Sequence, residues 1–369
     1  MSAPLLTCAA TGRRRGAHAL VLPVFGLCAV LLLAACGGFR EPAIAPITKV
    51  AVARVEIPPI QGKTAQIDIM AVDQATHRMW VADRLDVGID LIDISSVPGR
   101  YIKTIPMPVS PHGLVIALDL QRLYSGNDDS TVSVIDINPT SPTVNTVIKT
   151  VTINGQGLSD LTEYDPVDHK VYVSNPDDGM ITAISTQTDK VVGRIPNLPR
   201  VDQPRYNPVD GMLYATGIDE NAVYKINPLT DTLISTTTIP VTCEPHGIAI
   251  NPRTNTGVIG CADVDQPVAI VWDFGPNKMV RAFDQSGAGD VVVYDAKVDL
   301  FFFAASNYAP AEMSIFSGSP SINYLTSVPT SHKSHTVAYD ETHNLIYTND
   351  GRHREAGLWY FNNPVMDKR

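Results

Sequence analysis

The sequence predicts an all-β chain that folds as one seven-bladed β-propeller of four-stranded antiparallel blades. A hairpin-like string recurs seven times, and short strands rich in Val, Ile, Thr and Tyr follow each copy. No segment has the long 3.6-residue period of a surface helix. The 28 prolines and 25 glycines, with only 18% charged residues, fit many short strands joined by turns. The length of 369 residues alone would suggest two domains, but the repeat favours one.

Each repeat begins with two apolar strands joined by a turn. The turns are rich in Asp, Asn, Pro and Gly, which favour turn geometry for local reasons. The seven predicted hairpins span residues 71–83, 116–127, 164–175, 206–217, 250–261, 294–305 and 339–350. Their regular spacing indicates that every blade is built on one pattern.

A third strand follows every hairpin, and a fourth follows it in the first six repeats. The seventh repeat stops after three strands, near Arg369. A spare strand at residues 50–58 has the pattern of the fourth strands. We therefore predict that this N-terminal strand completes the last blade and closes the ring, which removes an open sheet edge.

The N-terminal segment is predicted to direct export. Arg13, Arg14 and Arg15 precede an almost wholly apolar run that ends in Leu-Ala-Ala-Cys at Cys36. This ending resembles the lipobox of bacterial lipoproteins, in which the cysteine is lipidated; an ordinary signal peptide with a chance cysteine is the alternative. The predicted organisation is a signal peptide at 1–35, a lipid-anchored tether at 36–46 and the propeller at 47–369.

Two cysteines remain in the predicted mature domain, because Cys8 and Cys28 lie in the signal segment and Cys36 would carry lipid. An isolated pair in an oxidising compartment favours one disulfide, here between Cys243 and Cys261. A Cys/His metal site that includes His246 is the alternative.

The charge balance argues against nucleic acid as a partner. The chain has 28 basic and 38 acidic residues, a formal net charge of −10. Removal of the three arginines of the signal segment leaves 25 basic against 38 acidic residues, or −13. Phosphate binding requires Lys/Arg clusters, and no such cluster follows Arg15. DNA, RNA and anionic lipid surfaces are therefore not expected as main partners.

Residues 122–137 (RLYSGNDDSTVSVIDI) and 170–185 (KVYVSNPDDGMITAIS) resemble the YVTN-repeat propellers, also called the surface-layer or YncE-like family. The resemblance covers about residues 47–363. It implies the propeller fold and an exported protein whose role is binding or unassigned. Val258 and Phe302 replace the family tyrosine in the fifth and sixth repeats.

One position carries Asp or His in all seven repeats. It lies five residues before each hairpin turn, at the start of the predicted innermost strand, and it recurs at intervals of 42 to 48 residues. We call this set the polar ring: Asp68, His112, Asp160, Asp202, His246, Asp290 and His335. Because innermost strands line the channel of a propeller, these side chains are expected at one mouth of it.

The ring has two interpretations. His112, His246 and His335 are spaced almost evenly and could form the ligand set of a divalent transition metal, with the aspartates as further ligands or as partners of the imidazoles. Gluconolactonase-type propellers bind an axial ion with Glu, Asn and Asp, a pattern from which this ring departs. Alternatively, the ring is a solvated polar lining whose aspartates bond to nearby backbone.

The sequence favours a binding or scaffold protein, held at a membrane by its lipid, that docks a protein partner or small ligand at one face of the propeller. Gly-rich phosphate loops and G-x-S-x-G, H-E-x-x-H and C-x-x-C-H motifs are absent from the sequence. The alternative is a metal-dependent enzyme at the polar ring, a lactonase-like hydrolase or a lyase. We expect a monomer in the cell envelope, facing the periplasm or the cell surface. Gly37 after the cysteine favours the outer over the inner membrane.

Overall fold

The computed structural model describes residues 48–58, 66–350 and 357–367, and all of them belong to one structural unit. They form 28 β-strands, grouped into seven four-stranded antiparallel sheets arranged in a ring. The predicted seven-bladed, all-β architecture is confirmed. The predicted signal peptide, Cys36 and the predicted tether lie outside the described residues. Within the described residues, no helix has the length and apolar character needed to cross a membrane.

Blades 1 to 6 each use four consecutive strands, the first of which is innermost. Blade 1 comprises β2–β5, at Ile67–Asp73, Arg78–Asp83, Gly88–Asp93 and Arg100–Pro106. Blade 2 comprises β6–β9, at Pro111–Ala117, Arg122–Asn127, Thr131–Asp136 and Thr146–Thr152. Blade 3 comprises β10–β13, at Thr162–Asp165, Lys170–Asn175, Met180–Ser185 and Lys190–Ile195.

The same order continues around the ring. Blade 4 comprises β14–β17, at Val201–Asn207, Met212–Gly217, Ala222–Asn227 and Thr232–Thr238. Blade 5 comprises β18–β21, at Pro245–Asn251, Thr256–Cys261, Ala269–Asp273 and Lys278–Phe283. Blade 6 comprises β22–β25, at Val292–Asp295, Leu300–Ala305, Glu312–Ser317 and Tyr324–Pro329. A single 3-10 turn, Pro176–Asp178, links β11 to β12.

Blade 7 draws its strands from two distant parts of the chain. It contains β26–β28, at Ala338–Asp340, Leu345–Asn349 and Gly357–Asn362, and β1 at Ala53–Glu56. Strand β1 pairs antiparallel with β28, with Ala53 opposite Tyr360 and Glu56 opposite Gly357. The fourth strand of this blade therefore comes from inside the segment 50–58.

The first hairpins share one turn geometry. Asp73 accepts a hydrogen bond from the Ala75 N–H at 2.9 Å, and Asp165 accepts one from Val167 at 2.9 Å. Such side-chain bonds to backbone two residues ahead start a turn. Each turn ends on a residue in the left-handed region, with φ between 50° and 68°, at His77, Gln121, His169, Gly211, Asn255, Asp299 and Asn344. This shared turn keeps the register constant from blade to blade.

The core is divided into seven hydrophobic clusters, and each bridges two neighbouring blades. Between blades 3 and 4, for example, Tyr172 and Ile181 pack with Leu213 and Tyr224. Second and third strands are almost wholly buried, whereas fourth strands such as β17 alternate between exposed and half-buried residues. This is the period-2 pattern of a strand with one wet face.

A disulfide joins Cys243 to Cys261, as predicted. Cys243 precedes β18, and Cys261 ends the neighbouring strand β19. Both residues are fully buried. The bond therefore fixes the approach to the innermost strand of blade 5, which carries His246.

Candidate functional site: the polar ring at the channel mouth

The structure brings all seven polar-ring residues to the lining of one cavity of about 390 Å³. Three other charged residues share that lining: Arg84, Asp177 and Arg200. The side of the propeller on which this cavity opens is called the ring face. The first-hairpin turns lie at the other ends of the innermost strands, on the hairpin face.

Four of the seven ring residues lie where the sheet ladder is interrupted, and the other three, Asp160, Asp290 and His335, lie just before the first residue of their strands. In blade 1, Ile67 pairs with Asp83 and the next pair is Met70 with Val81, so Asp68 and its neighbour have no ladder partners. The same shift surrounds the ring position in blades 2, 4 and 5. A bulge of this kind bends the strand and redirects a side chain, which explains how an innermost strand can aim a polar group into the channel.

Asp68 joins two histidines from the neighbouring blades. Its Oδ2 lies 3.2 Å from His112 Nδ1, and its Oδ1 lies 3.6 Å from His335 Nε2. Burial alone would raise the pKa of Asp68, but hydrogen bonds and charge from the two imidazoles hold that pKa well below its usual range. Asp68 is thus held as a carboxylate between two imidazoles.

His112 has a carboxylate at each ring nitrogen. Its Nε2 contacts Asp128 Oδ1, while Nδ1 faces Asp68. Burial opposes the imidazolium, but these carboxylates outweigh burial and raise the pKa of His112. For His335, burial is outweighed in the same way by Asp68 and Asp290, and the pKa rises to about 9. The His335 imidazole is therefore held as a cation at neutral pH.

His246 lies between carboxylates from blades 4 and 6. Its Nδ1 lies 2.7 Å from Asp202 Oδ2 and 3.8 Å from Asp290 Oδ1. Burial would lower the pKa of His246, but contact with Asp202 and the charge of Asp290 raise it to about 9. Burial raises the pKa of Asp290 to about 6, because the opposing attraction of His246 is partly offset by Asp202. Burial, followed by repulsion from Asp202 and Asp68, also raises the pKa of Asp160.

The three histidines do not all pair with the same carboxylate. His112 and His335 share Asp68, while His246 pairs with Asp202 in another sector of the ring. Within the part of the chain that the structure describes, the group whose three ligand atoms lie within 4.8 Å of one another is Asp202, His246 and Asp290. A shared site for His112, His246 and His335 stays a prediction.

Arg84 and Asp128 are ring-face residues that the sequence reasoning missed. Arg84 lies 3.8 Å from Asp68 and 3.9 Å from Asp128. Both follow a second strand, in the connection to the third strand. The residue type at this position differs from repeat to repeat, so repeat alignment gave no signal. Strand direction could have found them, because second strands end at the face where first strands begin.

A second cavity, of about 410 Å³, adjoins the first on the ring face. It shares His246, Asp290 and His335 with the first cavity and extends to Asn307 and Lys333. The two cavities form one recess lined by both acidic and basic side chains, which we call the ring recess.

Comparisons with known proteins support the fold and no family. No protein-family model matches the chain, and no curated protein matches it. Among solved structures, a chain in the crystal structure of a mitotic checkpoint complex superposes with a TM-score of 0.67 at 14% identity. The match covers 95% of this chain and 99% of that one. At this identity the likeness shows the fold alone, in agreement with the seven-bladed propeller described above.

Proposed function

We propose that this chain is an exported, lipid-anchored scaffold protein that binds a protein partner at its ring face. The ring recess carries this proposal. It is a concave surface in which His246, Asp290 and His335 belong to both component cavities, with Lys333 at its edge. Fixed polar groups in a concavity are suited to recognise a polar segment of another protein.

The fold adds support of a general kind. A propeller holds its face loops on a rigid frame, and the similar chain noted above was solved within a multi-protein assembly. The lactonase-like or lyase activity considered from the sequence is not favoured by the fold comparison and stays a prediction.

The envelope location rests on the N-terminal segment and on the cysteines. The apolar run that ends at Cys36 supports export and lipidation. The disulfide between Cys243 and Cys261 supports an oxidising compartment. We expect Cys36→Ser, made in the full chain, to abolish incorporation of labelled fatty acid and to release the protein from sedimented membranes. An unlabelled wild-type chain would overturn the anchor.

The binding face can be tested by site-specific photo-crosslinking in intact cells. A photo-reactive residue at Asn307, which is exposed and lines the ring recess, should give a discrete crosslinked band. The matched control is Val209, 50% exposed on the hairpin face of blade 4. Crosslinks from Asn307 and none from Val209 would support the proposal. Crosslinks from Val209 alone, or equal crosslinking from both positions, would overturn the choice of face.

A further inference from the structure

His246 differs from the other ring histidines in where its carboxylates lie. His112 also faces two carboxylates with Nδ1, those of Asp68 and Asp160, but its Nε2 contacts a third carboxylate, that of Asp128. His246 has both of its carboxylates, Asp202 and Asp290, at one nitrogen, Nδ1. One N–H can be aimed well at only one of them. A cation that binds all three atoms would satisfy the group better than a proton.

The environment of the Asp202 carboxylate also favours a bound cation. Asp202 is 6% exposed, and its Oδ2 atom, 2.7 Å from His246 Nδ1, is buried and receives no hydrogen bond of good direction. A buried carboxylate oxygen without such a donor is costly. Because this short contact lacks good hydrogen-bond direction, both atoms are available as ligands of one metal ion, on which they would lie about 3.3 Å apart.

The backbone holds these ligands in place. The Gly247 N–H donates to the Asp290 carbonyl at 3.1 Å, which ties blade 5 to blade 6. The Ile248 N–H donates to Gln203 Oε1 at 2.8 Å, which ties blade 5 to blade 4. The three ligand-bearing segments are thus fixed to one another before any ion arrives, as a metal site requires.

We propose that Asp202, His246 and Asp290 bind one divalent transition-metal ion at the channel mouth. One imidazole nitrogen and two carboxylate oxygens suit Zn²⁺, and Mn²⁺ as a harder second choice. His246 and Asp290 line both cavities of the ring recess, so water or a partner's carboxylate can reach the remaining coordination positions. Metal binding at these residues requires no bound partner, so the two proposals can be tested separately.

The test is calorimetric titration of the untagged, metal-stripped protein with ZnCl₂ and, separately, with MnCl₂. We expect one equivalent of Zn²⁺ to bind, and loss of a ligand in His246→Ala or Asp290→Asn to weaken binding at least about 100-fold. Asp290→Asn keeps the shape of the side chain, so it guards against a folding defect in the alanine variant. Circular dichroism on each variant checks the fold.

Two further variants distinguish this site from other histidine-containing groups. His343 forms a similar pair with Asp340, Nδ1 to Oδ2 at 2.7 Å, but belongs to no described three-ligand group. His343→Ala should therefore bind Zn²⁺ as the wild type does. His112→Ala should also retain binding. Loss of Zn²⁺ in His112→Ala would overturn the proposal in favour of the three-histidine arrangement, and failure of the folded wild type to bind either ion would overturn it outright.

Discussion

The backbone N–H of Gly247 donates a 3.1 Å hydrogen bond to the carbonyl oxygen of Asp290, across the boundary between blades 5 and 6. A Cβ at position 247 would meet that oxygen at 2.2 Å, so any larger residue must push the two innermost strands apart. We expect Gly247→Ala to lower the free energy of unfolding by about 1–3 kcal/mol, measured by urea denaturation.

The same variant should weaken Zn²⁺ binding, because it shifts Asp290 relative to His246. Gly275→Ala is the matched control, since a Cβ there has its nearest contact with a side-chain atom, Asp273 Oδ1, at 3.3 Å. Equal stability of the two alanine variants would show that the strands can separate at no cost.

The disulfide should contribute measurably to stability. Its half-cystines are 18 residues apart, and closing a loop of that size in the unfolded chain is worth about 3 kcal/mol in the chain-entropy model. We expect the double variant Cys243→Ser with Cys261→Ser to lose stability of this order in urea denaturation. Reduction of the wild type should give the same loss, and a reducing agent should leave the double variant unchanged. Sensitivity of the double variant to reductant would contradict this assignment.

Closure of the ring by β1 stays a prediction that one pair of substitutions can test. Val55 of β1 is 3% exposed and packs with Leu358 and Tyr360, whereas Val52 is 42% exposed. A charge at position 55 would have to be buried without a partner, so we expect Val55→Asp to lower the unfolding midpoint strongly, by more than about 3 kcal/mol in free energy. Val52→Asp should have little effect. Similar midpoints for the two variants would mean that β1 does not hold the last blade.

A buried acid in blade 1 predicts an unusual pH dependence. Burial raises the pKa of Asp90 to about 7. A hydrogen bond from Thr104 opposes this shift, whereas the charges of Asp83 and Asp86 add to it. Because the folded state holds this proton more tightly than the unfolded chain, stability should fall as pH rises from about 4 to 7. Asp90→Asn should therefore stabilise the protein at pH 7.5, by an amount on the order of 3 kcal/mol. The gain should vanish near pH 4.

Asp93 is a control, because its substitution should change stability in the opposite direction. Hydrogen bonds from Ser95 and the charge of Arg78, 2.8 Å away, outweigh burial and lower the pKa of Asp93. The contribution of Asp93 to stability is therefore present at pH values above the pKa that its carboxyl has in the unfolded chain. This contribution is lost as the pH falls through the lower pKa that the carboxyl has in the folded protein. Asp93→Asn should thus destabilise the protein at pH 7.5. Thermal melts of both variants across pH 4 to 8 would check the two signs together, and stabilisation by Asp93→Asn would contradict the argument.

The number of blades and the positions of the polar-ring residues could be predicted from the sequence because every repeat contains the same kind of hairpin turn. The turn that starts at Asp73 recurs in every blade and always ends on a residue in the left-handed conformation, so counting back five residues from the start of each turn reaches the ring position. The disulfide could be predicted from the number of cysteines in the predicted mature domain and from the predicted oxidising compartment. The turns depend on local side-chain chemistry, and the disulfide prediction depends on a count of cysteines.

The pairings inside the ring could not be predicted in the same way. That Asp68 meets both His112 and His335 depends on side-chain directions from three blades, and the bulges that set those directions have no sequence signature of their own. Arg84 and Asp128 lie in connections that differ between repeats. The two-carboxylate environment of His246 therefore had to be found in three dimensions.

The bulges at the ring have a consequence for how the protein can change. A residue at such a bulge has no partner in the sheet ladder, and its side chain lines the cavity instead of joining a hydrophobic cluster. Substitution at one of these positions should therefore alter the recess and leave the blade intact. The four ring positions at bulges, in blades 1, 2, 4 and 5, thus give the propeller a modular binding surface that mutation can change.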